Sequence, residues 1–97
     1  MALVHGEYKV PGGKLVVVDL SVEDGRIARA QVSGDFFLEP DSTLDSINAA
    51  LLGLPADACE AMISASVRMA LDPGATLFGI TPEGVAVAVR RAIEAQP

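Results

Sequence analysis

The chain has 97 residues and a net charge of -6, with 51% hydrophobic and 21% charged side chains. This length provides one core and no room for a second domain, and the apolar content is too high for a disordered segment. The acidic balance disfavours nucleic acid and anionic membranes as partners, because both select a basic surface. We therefore expect one globular domain over residues 1–97.

The sequence shows neither a membrane-spanning segment nor a signal peptide. No apolar run reaches the ~20 residues that a spanning helix needs, and the first residues, MALVHGEYKV, lack a basic region followed by an apolar one. A cytoplasmic location is therefore expected.

Cys59 is the only cysteine, which excludes an internal disulfide or a thiolate cluster within one chain. Its spacing from Met62 and Ile63 predicts a buried, inert thiol on a helix, with a reactive thiol as the alternative.

The N-terminal residues predict a first strand over residues 3–9, closed by a turn over residues 10–13. His5 lies in this strand without a second histidine or cysteine to share a metal, and no carboxylate is recognisable as its partner. We therefore expect an exposed or edge-strand histidine with no metal role.

The next segment predicts a hairpin. Apolar side chains alternate after Lys14, as in a strand with one buried face, and the predicted core-facing set is Val16, Val18, Leu20 and Val22. Asp24-Gly25 is a strong hairpin signal because glycine accepts a positive φ without steric cost. A third strand then runs from Arg26 towards Phe36 and Phe37. Its alternation breaks because Ile27 is out of phase with the apolar residues that follow, which predicts a bulge or bend at Gly34.

Helices are predicted for the remainder of the chain. Asp41 or Ser42 is placed to cap the first helix, with Asp45 completing an approximate capping box, and Gly53 is placed to end it. A second helix is expected over residues 56–71. A loop, ATLFGI, then leads to a third helix that opens at Thr81-Pro82-Glu83.

Strands followed by helices indicate an α+β fold. We expect a three-stranded antiparallel sheet, formed by the N-terminal part of the chain, packed on one face against about three C-terminal helices.

A glycine pair followed by a lysine is the first candidate binding segment. Gly12 and Gly13 would let backbone amides approach an anion, and Lys14 would add a positive charge. The segment lacks the spacing of a nucleotide-binding loop and opens a strand instead of a helix. The alternative is a turn that happens to precede a lysine.

The second candidate segment runs from Ser33 through Gly34 and Asp35 to Phe36 and Phe37. Two adjacent phenylalanines cannot both point to one side of a flat strand, so one ring is expected to be exposed for a partner. The alternative is a bend at Gly34 that buries both rings. The dispersed carboxylates and the single histidine give no general acid-base pair, metal site or serine-based triad.

The stretch YKVPGGKLVVVDLSVEDGRIARAQVSGDFFLE, residues 8–39, resembles the accessory domain of lipoate-protein ligases. The GGKL, VEDG and SGDFF segments follow the order of that family, and INAALLGLP and GITPEGVAVAVRRAI resemble it as well. The resemblance implies a small α+β fold similar to the iron-sulfur scaffold fold. The chemistry of a scaffold is not implied, since it needs several cysteines.

The resemblance also implies a function. In that family the catalytic domain binds ATP and lipoate and forms lipoyl-adenylate, and the accessory domain is required for this activation step more than for transfer to the acceptor lysine. The catalytic domain is absent from this sequence, so the chain is not expected to catalyse alone or to bind a cofactor alone. ATP, Mg and lipoate are expected only in a complex with the catalytic subunit.

These observations lead to one hypothesis and two alternatives. The hypothesis is an accessory subunit whose Gly12, Gly13 and Lys14 face the phosphates or the partner, and whose residues 33–37 contact the catalytic subunit. The first alternative is an interaction module that self-associates as a homodimer through the sheet edge or the phenylalanines. The second is a small carrier that holds lipoate or an acyl chain.

Overall fold

The computed structural model describes residues 3–95, so residues 1–2 and 96–97 of the predicted domain lie outside the described part. Strands β1, β2 and β3 form one antiparallel sheet in the order β1-β2-β3, and β4 and β5 form a second, two-stranded antiparallel sheet. In chain order the elements are β1 Leu3–Lys9, β2 Leu15–Glu23, β3 Arg26–Gly34, β4 Phe37–Glu39, α1 Ser42–Leu51, α2 Glu60–Ala70, β5 Thr76–Phe78 and α3 Pro82–Glu94. The predicted α+β class and three-stranded sheet are confirmed.

The hairpin between β2 and β3 turns at the predicted dipeptide. Glu23 pairs with Arg26, and the two residues between them have positive φ, 52° at Asp24 and 76° at Gly25. Positive φ at both central positions is typical of the type I′ turn, whose twist matches that of the flanking strands. The local sequence thus determines the register of this hairpin.

A bulge corrects the predicted inward face of β2. Val22 pairs with Ile27 and Ser21 with Arg29, so Ala28 is the extra residue of β3. Val16, Val18 and Leu20 are buried as predicted. The register shift at the bulge buries Ser21 completely and leaves Val22, the fourth predicted core residue, only half-buried. The bulge at Ala28 explains why Ile27 is out of phase with the apolar residues that follow it. The predicted bend is also present, because β3 ends at Gly34 and the chain bends at Asp35 before β4. Gly34 ends the strand with a φ of 148°.

The helices cover one face of the three-stranded sheet. Helix α3 packs on β1 and β2, α1 packs on β3, and α2 packs on α1 and α3. The approach of α3 to β1 depends on Gly6, where a Cβ would lie 2.3 Å from the Ala88 carbonyl oxygen. The largest completely buried side chains of this aliphatic core are Leu20, Ile27, Ile47, Leu51 and Ile63.

Helix α3 begins as predicted. Thr81 is its N-cap, and the threonine Oγ1 accepts a hydrogen bond of 2.9 Å from the Gly84 N–H. Asp41, one of the two predicted cap positions, is the N-cap of α1, but its side chain makes no cap bond. The predicted capping box of Ser42 and Asp45 is wrong, because Ser42 is already the first helical residue. Backbone carbonyls of Pro40 and Asp41 instead accept from the first-turn N–H groups.

Helix α2 begins four residues later than predicted, at Glu60. The backbone before it is bound elsewhere: the Ala56 N–H donates to the Gly25 carbonyl, and Arg90 donates to the carbonyls of Ala56 and Ala58. Cys59 is consequently the residue before the helix and is exposed. The prediction of a buried thiol is therefore wrong.

The segment predicted as a loop before α3 contains a strand. Phe37 pairs with Phe78, Leu38 with Leu77 and Glu39 with Thr76. Half-buried Leu38 and Leu77 pack against the main core, which holds this short ribbon on the domain. No helix within residues 3–95 is long and apolar enough to cross a membrane.

Candidate functional site

Both candidate segments lie at one end of the domain. The turn over residues 10–14 is closed by a hydrogen bond from the Gly13 N–H to the Val10 carbonyl, 2.8 Å, and by one from the Val10 N–H to the Lys14 carbonyl, 3.1 Å. The Lys14 N–H then donates to the Gly79 carbonyl at 2.9 Å. The lysine is thereby fixed beside the residues that join β5 to α3.

The second segment reaches the same place by two contacts. Gly34 pairs with Val16, and a Cβ at Gly34 would lie 2.1 Å from the Leu15 carbonyl oxygen and 3.0 Å from the Phe36 ring. Phe37 pairs with Phe78, the residue before Gly79. The structure thus brings both segments together through β5, an element that the sequence analysis did not predict.

We call this region the turn surface. It comprises Gly12, Gly13, Lys14, Ser33, Gly34, Asp35, Phe36, Phe37, Phe78 and Gly79.

The phenylalanines of the turn surface divide as predicted. Phe36 is half-buried against the core, whereas 73% of Phe37 and 54% of Phe78 is exposed. A cavity of about 310 Å³ adjoins the exposed ring and is lined by Phe36, Phe37, Leu38, Asp41 and Leu44. Two paired, exposed aromatic rings are typical of a surface that another protein covers.

The Lys14 side chain crosses the backbone of Gly79. A Cβ at Gly79 would lie 2.5 Å from the Lys14 Cγ, and Gly79 has a φ of 82°. The residue is exposed, and within residues 3–95 no carboxylate forms an ion pair with its ammonium group. Lys14 is therefore a positively charged group in a fixed place, accessible to an anionic ligand or to an acidic group of a partner.

The turn surface presents an exposed cation, an exposed carboxylate and exposed aromatic rings. No three histidine, cysteine, aspartate or glutamate residues of the described chain come together as a metal site. Asp35 is the carboxylate of this surface, and it is exposed. The arrangement suits binding through an aromatic patch and a cation.

The structure also shows a charged cluster that sequence reasoning missed. His5 Nδ1 lies 2.7 Å from Asp19 Oδ1, and His5 Nε2 lies 2.7 Å from Glu7 Oε2. Hydrogen bonds to Glu7 and then to Asp19 raise the pKa of His5 above its ordinary value of 6.5. The expectation that His5 lacks a carboxylate partner is wrong, although both ring nitrogens face carboxylates and neither is directed at a shared metal position.

Part of this cluster could have been predicted from the sequence. Residues 5 and 7 of a strand share a face, and a hairpin register that pairs His5 with Asp19 adds the third group. The three side chains lie on the sheet face that the helices leave open.

A larger groove lies away from the turn surface. It has a volume of about 590 Å³ and is lined by Leu3, Asp19, Ala28, Arg29, Ala30, Gln31 and Leu52. None of the residues predicted for a site lies in it. Its apolar lining and the single cation Arg29 are relevant to the alternative of a small-molecule carrier.

Comparisons with known proteins come from structure and not from sequence. No family model matches the chain, and no curated protein matches it. Among solved structures, the chain is similar to a chain from an archaeal lipoylation system, a bipartite lipoate protein ligase and its E2 lipoyl domain from Thermoplasma acidophilum. The two chains are 25% identical with a TM-score of 0.74, and the match covers 92% of this chain and 96% of the other. The likeness is thus to a component of a lipoylation system over nearly the whole domain.

Proposed function

We propose that this chain is the accessory subunit of a bipartite lipoate-protein ligase, required with a separate catalytic subunit for ATP-dependent formation of lipoyl-adenylate. The observation that carries the proposal is the match over 92% of the chain to the archaeal lipoylation system. The turn surface supports it, because it offers a partner two exposed aromatic rings and a cation.

The roles within the turn surface follow from its geometry. Phe37 and Phe78 would supply the apolar contact with the catalytic subunit, since buried aromatic side chains dominate interface energies. Lys14 would lie near the nucleotide, where its ammonium group stabilises phosphate charge. Gly12 and Gly13 keep the backbone beside it free of side chains. ATP, Mg and lipoate would be bound by the assembled complex.

A lipoyl carrier is the second candidate, because the matched system includes an E2 lipoyl domain. A carrier must present a lysine for attachment, and the chain contains Lys9 and Lys14 as its lysines. The tip of the long β2–β3 hairpin carries Glu23, Asp24 and Gly25 instead, and the turn before Lys14 is bound to the backbone of Gly79. These features favour the ligase subunit.

The test is lipoate-dependent exchange of pyrophosphate into ATP by the matching catalytic subunit. We expect exchange with this chain present and little without it. Lys14→Ala should lower the exchange rate while the two proteins still bind. Arg29→Ala is the control for loss of a cation, because Arg29 is exposed and lies in the groove away from the turn surface. Phe37→Ser should weaken binding itself by about tenfold or more, the loss typical of a central interface residue.

Two results would contradict the proposal. Equal exchange rates with and without the chain would exclude an accessory role. A mass increase of one lipoyl group on Lys14 or Lys9, after incubation with a complete ligase, would assign the carrier role instead.

A further inference from the structure

The hydrogen-bond pattern of the first hairpin defines which backbone groups of β1 face outwards. Val10 donates to the Lys14 carbonyl, and in an antiparallel ladder the directly bonded pairs alternate with unbonded ones. The bonded pairs are therefore the even-numbered residues of β1, including Gly6 with Val18. The N–H and C=O groups of Leu3, His5, Glu7 and Lys9 consequently point away from β2.

The two edges of the three-stranded sheet differ in how many of their outward backbone groups are hydrogen-bonded. The β3 edge is covered: Ile27 exchanges backbone hydrogen bonds with Leu54 and Gly53, and the Val32 N–H donates to the Asn48 side chain. On the β1 edge, Arg91 is the residue of the described chain that hydrogen-bonds to an outward backbone group. Its guanidinium donates to the Glu7 carbonyl at 3.0 Å while lying over the Tyr8 ring.

The β1 edge is complementary to itself in one antiparallel register. A two-fold axis at Gly6 places Leu3 opposite Lys9 of the other copy and His5 opposite Glu7, each pair occurring twice. All four residues have outward backbone groups, so every pair is a directly bonded one. The pairing of His5 with Glu7 places an imidazole against a carboxylate that accepts hydrogen bonds, and that of Leu3 with Lys9 combines an exposed leucine with an aliphatic stem.

The neighbouring registers lack this complementarity. Shifting one strand by two residues in one direction places His5 opposite His5, and shifting it in the other places Glu7 opposite Glu7 and His5 opposite Lys9. Each shift loses the pairing of His5 with Glu7 and leaves fewer bonded pairs, which disfavours it.

We propose that the β1 edge is an interface with a second copy of this chain, which pairs antiparallel about Gly6 to give a continuous six-stranded sheet. The two-fold axis is perpendicular to the sheet, so the helices of both copies lie on the same side. Arg91 blocks one carbonyl of this edge and must release it when the copies pair. The interface is separate from the turn surface and does not rest on the proposed ligase function.

The first test is sedimentation velocity of the full chain over a concentration series. We expect a reversible dimer that Glu7→Lys weakens roughly tenfold, because two favourable cross-strand pairs between an imidazole and a carboxylate are lost. Glu23→Lys makes the same change of charge at the hairpin turn and should leave the dimer unchanged. Arg91→Ala should tighten the dimer several-fold by freeing the Glu7 carbonyl.

The second test determines the register. In a Cys59→Ser background, chains with His5→Cys and chains with Glu7→Cys are mixed and oxidised. Directly bonded antiparallel residues lie about 5.5 Å apart at Cα, within disulfide range, so the mixture should form a cross-linked dimer. Self-cross-linking of His5→Cys alone would indicate another register and overturn the proposal.

The remaining outcomes are equally decisive. Wild type and Arg91→Ala that both stay monomeric at the highest soluble concentration would exclude this interface. Equal weakening by Glu7→Lys and Glu23→Lys would show that net charge, and not the β1 edge, controls association. Far-UV circular dichroism establishes whether each variant is folded. If Glu7→Lys does not fold, the Arg91→Ala result still tests the interface.

Discussion

The Lys14 side chain lies against the backbone of Gly79 within the turn surface. The change in the free energy of unfolding on substitution of Gly79 tests this placement. Gly79 has a φ of 82°, and a Cβ there would lie 2.5 Å from the Lys14 Cγ. An alanine in left-handed backbone costs about 1–2 kcal/mol, and displacing the lysine stem adds a cost of the overpacking kind, about 1–2 kcal/mol. Gly79→Ala should therefore lower the free energy of unfolding by about 2–4 kcal/mol.

Gly12 provides the matched control. Its φ is 72°, and a Cβ there would meet no atom within 4 Å. Gly12→Ala should therefore cost only the backbone strain, about 1–2 kcal/mol. The difference between the two substitutions isolates the contact with Lys14.

A double-mutant cycle completes the measurement, with urea denaturation followed by circular dichroism. Lys14→Ala removes Cγ but keeps Cβ, which would lie 3.0 Å from the new methyl group. In that background the cost of Gly79→Ala should therefore fall towards that of Gly12→Ala, about 1–2 kcal/mol. If Gly79→Ala costs the same with and without the Lys14 side chain, then the lysine stem does not lie against the backbone of Gly79 as the structure places it.

Two further predictions concern the sheet. Gly6→Ala should destabilise the domain by about 3 kcal/mol or more, because the new Cβ would lie 2.3 Å from an α3 carbonyl oxygen and backbone atoms cannot move aside as a side chain can. Gly74→Ala is the control, because a Cβ there would meet no atom within 4 Å. Similar urea midpoints for the two variants would refute the close approach of α3 to β1. The pKa of His5 is raised by hydrogen bonds to Glu7 and Asp19, so the stabilisation from this cluster is complete below the unfolded pKa of about 6.5 and is lost as pH rises through the higher folded pKa. The free energy of unfolding of wild type, relative to His5→Gln, should therefore fall as pH rises above about 6.5, and a difference independent of pH would contradict the raised pKa of His5.

Local signals predicted the elements whose geometry depends on a few neighbouring residues. Asp24-Gly25 specifies the β2–β3 turn because both residues tolerate positive φ, and Thr81-Pro82 specifies the start of α3 because the hydroxyl and the fixed proline φ act within one turn. The adjacent phenylalanines correctly indicated one exposed ring, because neighbouring side chains of a strand point to opposite faces.

The errors have a common cause in contacts between distant parts of the chain. Helix α2 starts late because Gly25 and Arg90 bind the backbone that precedes it. Cys59 is exposed for the same reason. The burial of Ser21 in place of Val22 follows from the bulge at Ala28, which shifts the register of β3 against β2.

The sequence alone determined the α+β class, the central hairpin and the two segments that form the turn surface, because periodicity and turn chemistry are local properties. Only the tertiary structure joined those segments: Phe37 meets Phe78, and Lys14 meets Gly79, through pairings between residues far apart in the chain. Such pairings are selected by the packing of the whole core, and no local pattern specifies them.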